Sequence, residues 1–204
     1  MTWSSTSPTP RSPILRRSEP APPDSRRLIA EVPSPARHLD FAASHFADPD
    51  VAGWHWPGSL GGPRTRGQAL EMLERGLEGQ RADGYTLWWW RERGSGEVIG
   101  MIGLRSVTIE SAERVEVGWS VAPRRWGEGL AAEAAAASIR WGFETAGLEQ
   151  VISYTMSGNT RSRRVMDKLG MRFSHEFVHV GLPHVLYAAD RGRWPGSSTL
   201  GAEC

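Results

Sequence analysis

The sequence is poor in cysteine, in net charge and in long apolar runs, and each shortage excludes a class of protein. Its single cysteine, Cys204, cannot form an internal disulfide, so a reduced cytoplasm is the expected compartment. The formal net charge is +1, so no overall field would recruit nucleic acid or a membrane. No apolar stretch approaches the length of a membrane span, and the first 23 residues lack the apolar core of a signal peptide.

Proline, glycine and serine are concentrated at the two ends of the chain. Eight of the 14 prolines lie before residue 36, which predicts a disordered tail over residues 1–24. The arginines of this tail could contact nucleic acid, but a solvated tail is the better interpretation. The Gly, Ser and Pro content of residues 191–204 predicts a second flexible tail. A single domain over residues 25–190 remains.

Between the tails, strand-like and helix-like patterns alternate. The spacing of apolar residues predicts helices at 38–46, 66–79, 129–145 and 160–169, and strands at 27–32, 85–91, 97–106, 114–121, 150–156, 172–180 and 184–189. Residues 51–57 read as a loop that carries Trp54 and Trp56. Because antiparallel hairpins precede a strand–helix–strand unit, the pattern predicts an α/β fold with a mixed sheet flanked by helices.

The most informative segment joins an apolar strand to an alanine-rich helix through a short turn with two glycines, Gly127 and Gly129. Glycine lets the backbone approach a ligand closely, and a helix N-terminus presents unpaired N–H groups with partial positive charge. These features together predict a cradle for a phosphate or pyrophosphate. Arg124 and Arg125 precede the glycines and are candidates for phosphate contact, although as solvated turn charges they need no ligand.

Two common phosphate motifs fit this turn poorly. Residues 127–132 match the dinucleotide fingerprint superficially, with Glu149 near the position of a ribose-binding acid. However, residues 122–126 separate the strand from the first glycine, and the sheet begins with hairpins instead of parallel units. The Gly-Lys-Ser/Thr ending of a P-loop is also missing.

The same turn and three further elements resemble the GNAT N-acyltransferase superfamily. Arg124-Arg-Trp-Gly-Glu-Gly129 is similar to its Arg/Gln-x-x-Gly-x-Gly/Ala signature, and residues 116–131 resemble its branch of ribosomal-protein N-terminal acetyltransferase-like enzymes. Asn159-Thr-Arg-Ser162 and Lys168-Leu-Gly-Met171 are similar to that branch's Asn-x-x-Ser…Lys-Leu-Gly-Phe element, with Met171 in place of phenylalanine. Residues 97–104 also resemble the branch. The likeness covers roughly residues 25–190.

This resemblance implies a splayed mixed sheet in a single domain that binds acetyl-coenzyme A between its fourth and fifth strands. The pyrophosphate would lie on the N–H groups of residues 125–130, and the Val121 N–H would stabilise the oxyanion. The coenzyme-binding residues implied by the resemblance are Trp119, Val121, Arg124, Arg125, Trp126, Gly127, Glu128, Gly129, Leu130, Asn159 and Ser162.

The function implied is transfer of acetyl to a primary amine, in a protein N-terminus or a small molecule, by direct attack in a ternary complex. No metal is expected, and the protein would be a monomer or a homodimer. The alternative is a non-catalytic acyl-coenzyme A sensor on the same scaffold.

Aminolysis of a thioester needs a base for the amine, a donor for the oxyanion and a proton for the thiolate. Ser162 is the candidate proton donor because helical spacing centres its hydroxyl on the inward face. Alternatively, that hydroxyl bonds back to the preceding turn. Glu116 is the favoured base, since alternation places this carboxylate in mid-strand; a salt-bridged glutamate is the alternative.

Other polar residues near the predicted site have weaker claims. Asn159 is expected first to cap its helix, and in the family it also contacts pantetheine. Trp54 and Trp56 lie where this branch places an acceptor loop, whereas the tryptophans at 88–90 are better explained as core. The rival bases are His175, Glu176, His179 and His184, with Tyr154 as a weaker candidate.

Overall fold

A computed structural model describes residues 20–196 and contains one seven-stranded sheet in the order β1-β2-β3-β4-β5-β7-β6. Every neighbouring pair is antiparallel except β4 and β5, which run parallel. The strands are β1 (Leu28–Glu31), β2 (Leu87–Glu92), β3 (Val98–Ile109), β4 (Ala112–Val121), β5 (Gln150–Met156), β6 (Arg172–His179) and β7 (Leu182–Asp190). The helices are α1 (Pro35–Ala47), α2 (Pro49–His55), α3 (Arg66–Asp83), α4 (Leu130–Glu144) and α5 (Thr160–Lys168). The expected α/β fold with a mixed sheet is confirmed.

The two faces of the sheet carry separate apolar cores, and strand alternation assigns residues to each. Trp88 and Trp90 of β2 are buried with α4 and α5, whereas Trp89 is buried with α1 and α3. Successive side chains on a strand point to opposite faces, so this triplet serves both cores. The prediction that these tryptophans are core residues is confirmed.

The prediction of a loop at residues 51–57 is wrong for most of that range, because the helix α2 occupies Pro49–His55. Asp48 caps this short helix by accepting the N–H of Asp50 at 2.8 Å, and proline suits its first turn. Val51 and Ala52 are then buried under α1. The helix has no extended apolar stripe, which is why periodicity did not detect it.

The hairpin of β3 and β4 is longer than predicted, reaching Ile109 and Ala112. Its two-residue turn, Glu110 and Ser111, has φ of 50° and 65°. This conformation usually selects Asn-Gly, so the turn was not recognised. The register it sets places Arg105 directly opposite Glu116.

The domain's contacts extend beyond residues 25–190 in both directions. Ala21 accepts a hydrogen bond from the Trp141 indole at 2.8 Å, and Asp24 pairs with Arg93. At the other end, the Trp194 indole donates to the Leu169 carbonyl at 2.7 Å. The remainders of the two predicted tails, residues 1–19 and 197–204, lie outside the described residues. Within residues 20–196, none of the helices is long and apolar enough to cross a bilayer.

Candidate functional site

The parallel strands β4 and β5 separate at the centre of the sheet and open a gap between them. Their pairing rests on a single bridge, Glu116 with Ile152. The Ala122 N–H donates to the Ile99 carbonyl of β3 at 2.9 Å. Because hydrogen bonding alternates along an antiparallel strand, the main-chain groups of Trp119 and Val121 turn away from β3 and toward the gap. No strand pairs with them there, so this edge of β4 can bind an extended ligand.

The turn after β4 places main-chain N–H groups at the beginning of α4. Gly127 and Gly129 have φ of 88° and 76°, a left-handed conformation that favours glycine. Gly129 precedes Leu130, the first residue of α4. The Arg27 side chain supports the turn, contacting the Glu128 carbonyl at 3.2 Å and the Glu133 carboxylate at 2.5 Å. The backbone conformation fits an anion cradle, but a narrower one than residues 125–130. The Arg125 and Trp126 N–H groups already donate to the Ala122 and Pro123 carbonyls at 2.9 and 3.1 Å, which leaves the N–H groups of residues 127–130.

The arginine side chains of the turn are held by carboxylates. Arg124 pairs with Glu97, and Arg125 contacts Glu92 at 2.8 Å, Glu97 at 3.2 Å and Glu128 at 2.9 Å. The Arg125 side chain is only 13% exposed, so phosphate contact would require exchanging established ion pairs. These side chains stabilise the turn, so anion binding there would depend on its main-chain N–H groups.

The indole of Trp126 connects the turn to its neighbours. Its N–H donates to the Val121 carbonyl at 2.7 Å. Of the two main-chain groups of Val121, the N–H therefore remains available to a ligand. The Arg161 guanidinium lies over the Trp126 ring at 4.4 Å. Both residues line the cleft on the side of α4 and α5.

Ser162 lies beside the gap and has an indole partner. Its hydroxyl oxygen accepts the Trp119 indole N–H at 3.2 Å. The hydroxyl therefore has a hydrogen-bond partner that is neither of the two predicted from the sequence, the coenzyme sulfur and a carbonyl of the preceding turn. Asn159 caps α5 by accepting the Ser162 N–H at 3.2 Å, so the predicted capping role is confirmed. The indole N–H occupies a lone pair of the hydroxyl, which keeps the O–H proton available for donation.

Glu116 lies on the opposite face of β4 and is buried, with a 6% exposed side chain. Its Oε2 accepts from Arg105 Nε at 2.6 Å, so the salt-bridge alternative describes its contacts. Its Oε1 has no partner within the described part of the chain and is not sealed from solvent, so this oxygen faces the cleft. The Glu116 charge raises the pKa of Arg105. Burial raises the pKa of Tyr154, which lies beside the pair.

The rival bases divide into two groups. His179 and His184 line the cleft near Glu116, with their rings 5.4 Å apart. His184 Nδ1 donates to the Leu182 carbonyl at 2.9 Å, which fixes the orientation of the ring. In contrast, His175 and Glu176 are exposed on β6 outside the cleft.

The predicted acceptor tryptophans lie at the end of α2 and line the cleft. Trp54 is 42% exposed, whereas Trp56 packs edge-on against Phe46 and under the Arg64 guanidinium. His55, between them in the chain, is exposed and lines the cleft. Trp54 is therefore the indole most available to a ligand.

A buried pair that the sequence did not suggest lies next to the gap. His45 Nε2 and Ser120 Oγ are 2.7 Å apart, and Ser120 lines the cleft. Burial lowers the pKa of His45 to about 3, so the imidazole is neutral at neutral pH. Sequence reasoning also missed Arg27 and Arg105; the hairpin register would have identified Arg105 had its turn been recognised.

The cleft as a whole has a volume of about 1360 Å³ and passes through the sheet at the gap. One side is lined by Trp119, Ser162 and the cradle, and the other by Glu116 and the residues of α2. Two ligands can therefore approach the gap from opposite faces. No cysteine lies among residues 20–196 to accept an acyl group covalently.

Known sequences are similar to this chain over most of its length. A family model described as an acetyltransferase (GNAT) domain matches residues 27–172. The uncharacterized protein YkkB of Bacillus subtilis is 30% identical over 142 residues, covering 70% of this chain and 80% of that protein. The FsC-acetyl coenzyme A-N(2)-transacetylase of Aspergillus fumigatus is 31% identical over 155 residues, covering 72% of this chain and 64% of that protein.

Solved structures share the fold at lower sequence identity. A GNAT-family acetyltransferase from Bacillus anthracis superposes with a TM-score of 0.70 at 22% identity, covering 84% of this chain and 99% of that one. Mycobacterium smegmatis RimJ in complex with CoA-disulfide gives 0.69 at 18%, covering 87% and 92%. The resemblance to this superfamily inferred from the four sequence elements is confirmed.

Proposed function

Because this chain belongs to the GNAT acetyltransferases and is an acetyl-coenzyme A-dependent acyltransferase, we propose that it acetylates a primary amine by direct attack in a ternary complex. The observation that carries this proposal is the gap between β4 and β5, which has an unpaired main-chain edge on one strand and a helix N-terminus at its end. Direct transfer is supported by the access to the gap from both faces.

On the coenzyme side, main-chain groups supply most of the proposed binding. N–H groups of residues 127–130 bind the pyrophosphate, as helix N-termini bind anions generally. The free main-chain edge at Trp119 hydrogen-bonds the pantetheine, and the Val121 N–H donates to the oxyanion. Asn159 lies at the same gap and holds the N-terminus of α5 in position.

Proton transfer is assigned to two side chains on opposite sides of the gap. Glu116 accepts the amine proton through its free Oε1, directly or through one water. Ser162 donates its hydroxyl proton to the departing thiolate, and the Trp119 indole holds the hydroxyl in that orientation. The first role depends on the Oε1 atom of Glu116 and the second on the hydroxyl proton of Ser162, so conservative substitutions can test each of them.

Incubation with acetyl-coenzyme A and a panel of primary amines tests the proposal. We expect release of free thiol and a gain of about 42 daltons in the mass of the amine, because an acetyl group replaces one hydrogen atom. Glu116→Gln should lower kcat by about 100-fold or more, the usual contribution of a general base. Coenzyme binding without thiol release across the panel would instead indicate a sensor.

A further inference from the structure

We propose that the acceptor is a primary amine bearing a carboxylate on the adjacent carbon, and that Arg105 binds this carboxylate. The proposal rests on the proposed amine acetylation and narrows the acceptor to the chemistry of an α-amino acid. It is carried by the geometry of the Arg105–Glu116 pair, which lies where the cleft meets the gap.

Arg105 uses only one edge of its guanidinium for Glu116. The contact is from Nε to Oε2 at 2.6 Å, and the Arg105 side chain is 48% exposed within the cleft. Arginine and carboxylate frequently pair through two parallel hydrogen bonds. Here the contact with Glu116 uses Nε alone, and the side chain lines the cleft, so further N–H groups of the guanidinium can bind a second carboxylate.

Other acidic residues do not claim these N–H groups. Asp50, Glu71 and Asp83 also line the cleft, but Glu116 is the one carboxylate paired with Arg105 in the described structure. The Tyr154 hydroxyl interacts with one part of the guanidinium. An acceptor carboxylate would therefore find a charged and preoriented partner with N–H groups that no second carboxylate occupies.

The amine end of such an acceptor has a matching group next to this arginine. Glu116 Oε1 faces the cleft without a partner, so an amine N–H can donate to it. The two protein groups are in contact, and the amine and carboxylate of an α-amino acid are likewise separated by one carbon. A long-chain amine with a distant acid could not engage both.

Matched acceptor triplets test this inference on the unmodified protein. Each triplet contains a free amino acid, its carboxamide and the corresponding decarboxylated amine, with side chains that are small, aliphatic, aromatic or charged. We expect kcat/KM to be roughly 10- to 100-fold higher for the free acid in the preferred triplet, as for one charge-assisted contact. Equal turnover of acids and carboxamides would overturn the inference while leaving amine acetylation intact, whereas no turnover of any amine would contradict the proposed function itself.

Two variants and a control assign the preference to Arg105. Arg105→Lys keeps a positive charge beside Glu116 but loses the planar fork, and Arg105→Gln loses both. Each should collapse the ratio of acid to carboxamide turnover toward one, whereas Arg114→Gln on the same sheet, outside the cleft, should leave it unchanged. Thermal unfolding identifies any variant that fails to fold, and an acid preference that survives in folded Arg105→Lys would refute the assignment.

Discussion

Substituting Gly129 by valine separates the binding role of the cradle from its conformational strain. Gly129 has φ of 76°, and the atom nearest an added Cβ is an Arg27 nitrogen at 3.7 Å. Gly147, at the other end of α4, has φ of 71° and nothing within 4 Å. Valine at either position is therefore strained by its backbone and not by crowding, at a cost of roughly 1–3 kcal/mol. The two variants should lose similar stability, about 2–4 °C in Tm per kcal/mol.

Only the first variant should lose affinity for coenzyme A. The branched side chain at Gly129 would stand where main-chain N–H groups must approach the pyrophosphate. A hydrogen bond to a charged group contributes about 1.5–3 kcal/mol, so losing one weakens binding about 10- to 150-fold. Gly147 is not among the residues that line the cleft, so Gly147→Val should bind normally.

Titration calorimetry with coenzyme A measures the affinity of both variants, and differential scanning calorimetry measures their stability. The expected result is an equal loss of Tm with an affinity loss confined to Gly129→Val. If Gly129→Val binds coenzyme A as tightly as the original protein, the cradle does not hold the diphosphate. If both variants lose affinity equally, the strain itself is responsible and the close-approach argument is wrong.

Two further predictions concern proton transfer and stability. Ser162→Ala should lower kcat about tenfold or more with little change in coenzyme binding. Trp119→Phe should also lower kcat. Because the indole acts through the hydroxyl, the double variant should be no slower than Ser162→Ala. Additive losses would refute that coupling. The Arg91 hydrogen bond lowers the pKa of Glu31 to about 2, so Glu31→Gln should remove on the order of 3 kcal/mol of stability above about pH 4.5. In urea unfolding the difference from the original protein should vanish as pH falls toward 2; a difference independent of pH would contradict it.

Local features of the structure could be predicted from the sequence, whereas features that depend on distant segments could not. The beginning of α4, the cap of α5 at Asn159 and the alternation along β4 follow from residues that are neighbours in the chain. For these features the prediction and the structure agree. The helix at Pro49–His55 was missed because its short buried face produces no periodic signal, although Asp48 and Pro49 are recognisable start residues.

The sequence did not predict which groups each candidate side chain contacts. Arg125 was a candidate for phosphate contact on its position in the turn, yet the fold surrounds it with the carboxylates of Glu92, Glu97 and Glu128. Ser162 was expected to face the coenzyme sulfur, and the fold gives it the Trp119 indole, 43 residues away. Such partners depend on how distant segments align, which local patterns do not encode.

By itself, the sequence determined the turn that needs two glycines, the helix that follows it and the family to which both belong, because backbone conformation at these positions is set by the residues themselves. Only the tertiary structure decided that β4 and β5 separate after a single bridge and that Arg105 stands opposite Glu116 with its fork in the cleft. Strand divergence and cross-strand register result from the packing of two cores on a twisted sheet. They bring together residues that no spacing rule connects.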